Sequence, residues 1–192
     1  MPDTSLHFIQ DRSLEKMSDD TLVVKAHEDV EAFAILYKRY VQRVYRYLYT
    51  RVRDPEDAED LTSQVFIEAF KGLPRYRHKE NFVGWLFKIA QRRAIDHGRS
   101  TLNKLSFEEY EDRLIQEKGP LNQSISFESL EDLRMLIQAL SPQQREMLRL
   151  RFAAGLTHSE MAVVLNKTEA AIKMALHRLY RQLENAWENE DD

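Results

Sequence analysis

The residues with most chemistry to offer lie in two adjoining pieces of the chain, Leu73-Pro74-Arg75-Tyr76-Arg77-His78-Lys79 and the stretch Asn81 to Arg99 that follows. Cations beside exposed aromatic rings are what a protein needs to track a phosphate backbone and hold unstacked bases. On a helical wheel, at about 100° per residue, Phe82, Val83, Leu86, Phe87, Ile89, Ala90 and Ala94 gather on one side, and Trp85, Lys88, Arg92, Asp96 and Arg99 form a stripe on the other. One side wants a core; the other carries cations and a ring. Taken alone, the stretch fits an ordinary amphipathic helix with a solvated basic face equally well. Trp85 lies at the border of the two faces, where packing is its favoured role, and Arg93 points toward the apolar side, which it is expected to span to reach solvent.

A second basic set closes the chain. Thr157-His158-Ser159-Glu160 is a capping box opening a short helix through Met161, Ala162 and Leu165; Asn166-Lys167 makes a tight turn, and Thr168 caps a long final helix. A short helix, a tight turn and a longer helix form the helix-turn-helix pattern. The last helix puts Ile172, Ala175, Leu176, Leu179 and Leu183 on one side and Lys173, Met174, His177, Arg178 and Arg181 on the other. A basic face beginning at the N-terminal end is how a recognition helix enters a major groove.

Catalytic patterns are missing from the sequence. The histidines (7, 27, 78, 97, 158, 177) show no metal-ligand spacing, and there is no glycine-rich phosphate loop, serine elbow or carboxylate pair. No enzymatic activity, metal or cofactor is expected. The absence of cysteine excludes disulfides and thiol redox sensing, and no apolar run is long enough for a membrane span or signal peptide. A cytoplasmic, soluble protein is expected.

A net charge of −4 argues against nucleic acid until the charge is located. Residues 75–104 carry eight Lys/Arg against two acids, and residues 167–181 carry four against Glu169. Residues 101–133 carry three bases against eight acids, and Glu184 to Asp192 adds five acids with no base. Two basic patches are thus separated by an acidic spacer.

The elements that position these patches are all helical. Residues 1–17 form a loosely held extension, and Ser18-Asp19-Asp20 starts a helix. Phe33, Tyr37, Val41, Val44, Leu48 and Val52 give a long helix to about Arg53, whose tyrosines (37, 40, 45, 47, 49) are read as packing residues. Asp54-Pro55 starts helix 55–71, with Ala58, Leu61, Val65 and Ala69 inside, Phe66 and Phe70 alongside, and Asp57, Asp60, Gln64, Glu68 and Lys71 outside; Gly72 and Pro74 end it. The helix 82–98 completes a domain over 18–100. Residues 101–126, with Gly119-Pro120, read as a flexible linker. A second block, 127–187, opens with Leu130, Leu133, Leu136, Ile137 and Leu140 as its buried side; Ser141-Pro142-Gln143-Gln144 then starts a helix that Gly155 ends. An acidic tail, 188–192, follows.

In this order, Asp60-Leu61-Thr62-Ser63-Gln64-Val65-Phe66, Phe82 with Trp85-Leu86, Ile89-Ala90 and Asp96, Leu140-Ser141-Pro142, Leu156 through Ala162, and Ile172-Lys173 with Leu176-His177-Arg178 resemble the extracytoplasmic-function branch of bacterial sigma factors. The resemblance covers about 18–185. It implies an all-α protein with a sigma-2 helical bundle and a sigma-4 helix-turn-helix domain joined by the acidic linker, which would run through the polymerase cleft. Its implied partners are core RNA polymerase, through the clamp coiled coil and the flap, promoter DNA and an anti-sigma factor, with a monomer when free. Asp57, Asp60, Gln64 and Glu68 become polymerase-docking candidates. Tyr76, Arg77, His78, Trp85, Lys88, Arg92, Asp96 and Arg99 would meet the melted minus-ten strand, and Thr168, Lys173, Met174, His177, Arg178 and Arg181 the minus-thirty-five duplex. Three positions depart from the family pattern: Arg92 stands where asparagine is common, Gln64 where glutamate is usual, and Ala170-Ala171 in place of Gly-Thr. From another class, a helix-turn-helix regulator would bind palindromic duplex without polymerase, and a helical adaptor would meet acidic partners with its basic faces.

Overall fold

The computed structural model of the chain describes residues 14–76, 81–102 and 135–188. These hold α1 (Asp19–Lys25), α2 (Val30–Val52), α3 (Pro55–Gly72), α4 (Phe82–Leu102), α5 (Pro142–Leu148), α6 (His158–Leu165) and α7 (Glu169–Glu188), with no strand among the described residues. Chain contacts divide the molecule into two units, Met1–His97 and Gly98–Asp192. The expected linker 101–126, the opening of the second block at 127–134 and the tail beyond 188 lie outside the described residues, apart from the helical end of α4.

Local chemistry sets the helix ends of the first unit. Ser18 accepts from Thr21 N–H and Asp54 from Asp57 N–H, with Pro55 opening α3. Asn81 Oδ1 accepts from Gly84 N–H at 3.1 Å, capping α4. Arg53 ends α2 in the left-handed region at φ 56°, its N–H bonded to Tyr49 O. The described end of the extension, residues 14–17, is held to the first unit: Leu14 is buried and Arg39 Nη2 donates to Glu15 O at 2.6 Å and Met17 O at 2.8 Å. Arg39 also pairs with Asp19 at 2.5 Å, and Tyr40 Oη donates to the same carboxylate.

The core stripe of α2 differs from the one its periodicity suggests. Ala32, Ile35, Leu36, Tyr40, Val44, Tyr47 and Leu48 are buried, whereas Tyr37 is exposed and Phe33, Val41 and Val52 are half-buried. A helix apolar on more than one side offers period-matched stripes to either neighbour or solvent, and packing against α1 and α3 decides between them. Tyr40 and Tyr47 thus have the expected packing role, while Tyr45 and Tyr49 stack on each other near the surface at 6.0 Å.

In the second unit both capping boxes form, Ser141 with Gln144 and Thr157 with Glu160. Asn166 adopts φ 53°, and the bonds Lys167 N–H to Ala162 O and Asn166 N–H to Val163 O close α6 as a Schellman motif. Replacing Thr157 with alanine is expected to cost about 1 kcal/mol, read as a lower urea midpoint at unchanged slope. The helix expected to run unbroken to Gly155 instead widens into a π turn over Arg149–Ala153. Leu156 N–H reaches Leu150 O, one residue further back than a Schellman closure, which accommodates the extra residue before Gly155 at φ 63°. Leu140 is buried as expected, but Leu136 is only half-buried and Ile137 is exposed.

Candidate nucleic-acid and protein interfaces

The two faces of α4 separate as the wheel predicts. Phe82, Val83, Leu86, Phe87, Ile89, Ala90 and Ala94 are all buried, while Lys88, Arg92, Asp96 and Arg99 are exposed. Phe87 meets Tyr47 edge-on at 5.6 Å, and the Arg43 guanidinium lies over the Tyr40 and Phe87 rings at 5.3 and 6.0 Å. The cationic stripe is therefore mounted on a rigid aromatic core.

Tyr76 departs from its expected role as an exposed ring. It is 7% exposed and packs against Trp85 at 5.0 Å and Phe82 at 6.1 Å. Trp85 is half-buried, in keeping with a border position, and its six-membered ring lies so close to Gly72 that a Cβ there would sit 3.1 Å from it. Glycine at 72 thus does more than end α3: it admits the indole. Arg77 and His78 lie outside the described residues.

The outer stripe of α3 is less free than a solvated stripe would be. Asp57 faces His97 Nε2 at 3.3 Å. Glu68, 24% exposed, pairs with both Arg92 and Arg93 of α4. Arg93 therefore ends on a carboxylate instead of running out to solvent. Two of the four docking candidates are engaged with α4, and Asp60 and Gln64 remain exposed.

Beside them is a feature that polar patterning missed. Val30, Phe33, Tyr37, Phe66, Ile67 and Phe70 line an apolar groove of about 410 Å³ between α2 and α3, edged by Ser63 and Lys71. Ring contacts Phe33–Phe70 at 4.9 Å and Tyr37–Phe66 at 4.7 Å hold its floor. The signal in the sequence was the surplus of aromatics on α2 and α3 beyond what one core face needs. An exposed contiguous apolar patch of this kind is a candidate surface for another molecule.

On α7, Ile172, Leu176 and Leu179 are buried, and Thr168, Lys173, Met174, His177, Arg178 and Arg181 are exposed. Thr168 Oγ1 accepts from Ala171 N–H at 3.2 Å, leaving its hydroxyl proton to donate outward. Among the described residues Lys173 pairs with an exposed i,i+4 partner, Glu169, at 3.6 Å, a contact that solvent weakens. This face brings together every residue the sequence assigned to it.

Family models for sigma-70 region 2 and sigma-70 region 4 match residues 36–102 and 130–183. The chain is 36% identical over 160 residues to the ECF RNA polymerase sigma factor BldN of Streptomyces coelicolor, covering 81% of this chain and 60% of BldN. It is 30% identical over 165 residues to the ECF RNA polymerase sigma factor SigK of a Mycobacterium species, covering 83% of this chain and 85% of that protein. Its fold is similar to that of CnrH, solved in complex with the cytosolic domain of CnrY, with a TM-score of 0.63 at 20% identity, covering 89% of this chain and 97% of CnrH. With both regions matched in order and a relative aligned over most of its own length, the chain belongs to the ECF family of RNA polymerase sigma factors, the subunits that direct transcription initiation.

Proposed function

We propose that the chain brings core RNA polymerase to promoters and opens them without doing chemistry itself. Residues 18–100 do the sigma-2 work and 127–187 the sigma-4 work, joined by the acidic segment 101–126. The groove between α2 and α3, with Asp60 and Gln64 beside it, takes the clamp of the polymerase. The outer face of α4, with Lys88, Arg92, Asp96 and Arg99, takes the separated minus-ten strand, helped by Arg77 and His78. Trp85 and Tyr76 support that face from beneath. Lys173, Met174, His177, Arg178, Arg181 and the Thr168 hydroxyl meet the minus-thirty-five duplex. The protein acts in the cytoplasm, as a monomer when free, and an anti-sigma factor holds it there between signals.

The observation that carries this reading is the clean division of α4, whose apolar side is wholly buried while its cationic side is open to solvent. Unstacking a base costs a few kcal/mol, and stacking and phosphate contacts available only on the open strand offset it. Run-off transcription with purified core enzyme tests the reading. Arg92→Ala and His78→Ala are expected to impair opening more than closed-complex binding, and equal loss in both would reject the division of labour. Conversely, Arg178→Ala is expected to weaken closed-complex binding and, where the contact is to phosphate, to flatten its salt dependence by about one unit. Tight palindromic duplex binding by the chain alone would favour a conventional regulator.

A further inference from the structure

Glu68 reaches from α3 to two consecutive arginines of α4, with a cation on each carboxylate oxygen. Arg93 closes on Oε2 through Nε at 2.8 Å and Nη2 at 2.7 Å, and Arg92 pairs with Oε1 through Nη2. The two arginines are not equivalent. Arg93 turns two nitrogens inward and is the less exposed. Arg92 is 60% exposed and is held through Nη2 alone, so the second Nη2 proton, together with Nε–H on one edge or Nη1–H on the other, still offers a pair of parallel donors.

An untethered arginine on an open helix swings through many rotamers and meets a phosphate strand as a mobile cation. Tethering through Nη2 narrows the rotamers open to the side chain while most of the guanidinium stays in solvent. The carboxylate also cancels one of the two positive charges, which weakens the pull of phosphate relative to the shape of a base. We infer that Glu68 is a positioning residue that turns Arg92 from a phosphate contact into a reader of a base on the separated strand. The inference rests on the reading of α4 as the strand-binding face.

The chemistry of the fork selects the base. A guanidinium offers donors only. Guanine presents O6 and N7 side by side, and unpaired cytosine presents O2 and N3 in the same way. Adenine sets its N6 donor beside both N1 and N7, and thymine separates O2 and O4 by an N–H. A parallel pair of donors on Arg92, held near one position by Glu68, therefore selects guanine or cytosine against adenine or thymine.

The test uses holoenzyme reconstituted from core polymerase and the full chain, titrated with fluorescent single-stranded oligonucleotides that carry each base in turn at each melted position. The unaltered protein is expected to prefer guanine or cytosine by about tenfold at one position. Arg92→Ala is expected to abolish that preference. Glu68→Gln is expected to bring it within about twofold while steepening the salt slope by about 0.7, the single-strand value for one added phosphate contact. Arg93→Ala, which leaves the Glu68–Arg92 pair in place, is expected to keep the preference. Should Glu68→Gln retain a preference that Arg92→Ala loses, the positioning role is overturned and the strand-binding reading survives. Should Arg92→Ala alter neither preference nor affinity, the strand-binding reading falls and takes the inference with it. If Glu68→Gln does not fold, Glu68→Asp draws the charge back by one methylene: partial loss of preference supports the role, and full retention overturns it.

Discussion

Replacing Ile67 with aspartate is expected to lower the affinity for core polymerase by about a hundredfold or more. Ile67 is 55% exposed and stands on the wall of the α2–α3 groove, where Phe33, Tyr37, Phe66 and Phe70 supply the rest of the surface. A carboxylate there meets an apolar partner without a counter-charge, and burying an unpaired charge is among the largest penalties an interface can carry. Because the side chain is already half in solvent, the thermal midpoint of the free protein is expected to move little. Surface plasmon resonance with immobilised core enzyme reads the first quantity and a melting curve the second. Affinity within about threefold of the unaltered protein would remove the groove from the docking surface and return that role to Asp60 and Gln64 alone.

Replacing Phe87 with alanine is expected to cost about 3–5 kcal/mol of folding stability, out of the roughly 5–15 kcal/mol a domain possesses. The ring is fully buried, meets Tyr47 edge-on at 5.6 Å and lies under the Arg43 guanidinium at 6.0 Å, so truncation leaves a cavity with rigid walls and removes one of the two rings beneath that cation. Urea unfolding measures the loss. The same truncation at Phe152, 69% exposed on the π turn, is expected to stay within about 0.5 kcal/mol. A comparable loss at both positions would mean that Phe152 is covered in solution.

The local devices of this chain were legible without coordinates. Ser18, Asp54, Ser141, Thr157 and Thr168 each cap the helix that follows, and Asn166 takes the left-handed turn between α6 and α7. The split of α4 was legible for the same reason: cap bonds and a helical period involve residues a few positions apart, so their outcome is fixed within a short window. The π turn escaped because Leu148 to Gly155 has the composition of an ordinary helix end, and only the closure at Leu150 O reveals the extra residue.

Tertiary structure alone decided the rest of the candidate sites. Periodicity cannot choose between the stripes of an aromatic-rich helix, so the core face of α2 and the groove beside it emerged only with α1 and α3 in place. Tyr76, one residue past the turn that follows α3, is buried because Trp85 and Phe82 of α4 come to meet it. Asp57 and Glu68, placed on the outer stripe of their helix by its period, face His97, Arg92 and Arg93. Sequence spacing carries no term for a pairing 25 positions away. Which residues can form a helix is settled by neighbours along the chain; which charge answers which, and which ring stays open, is settled by neighbours in space.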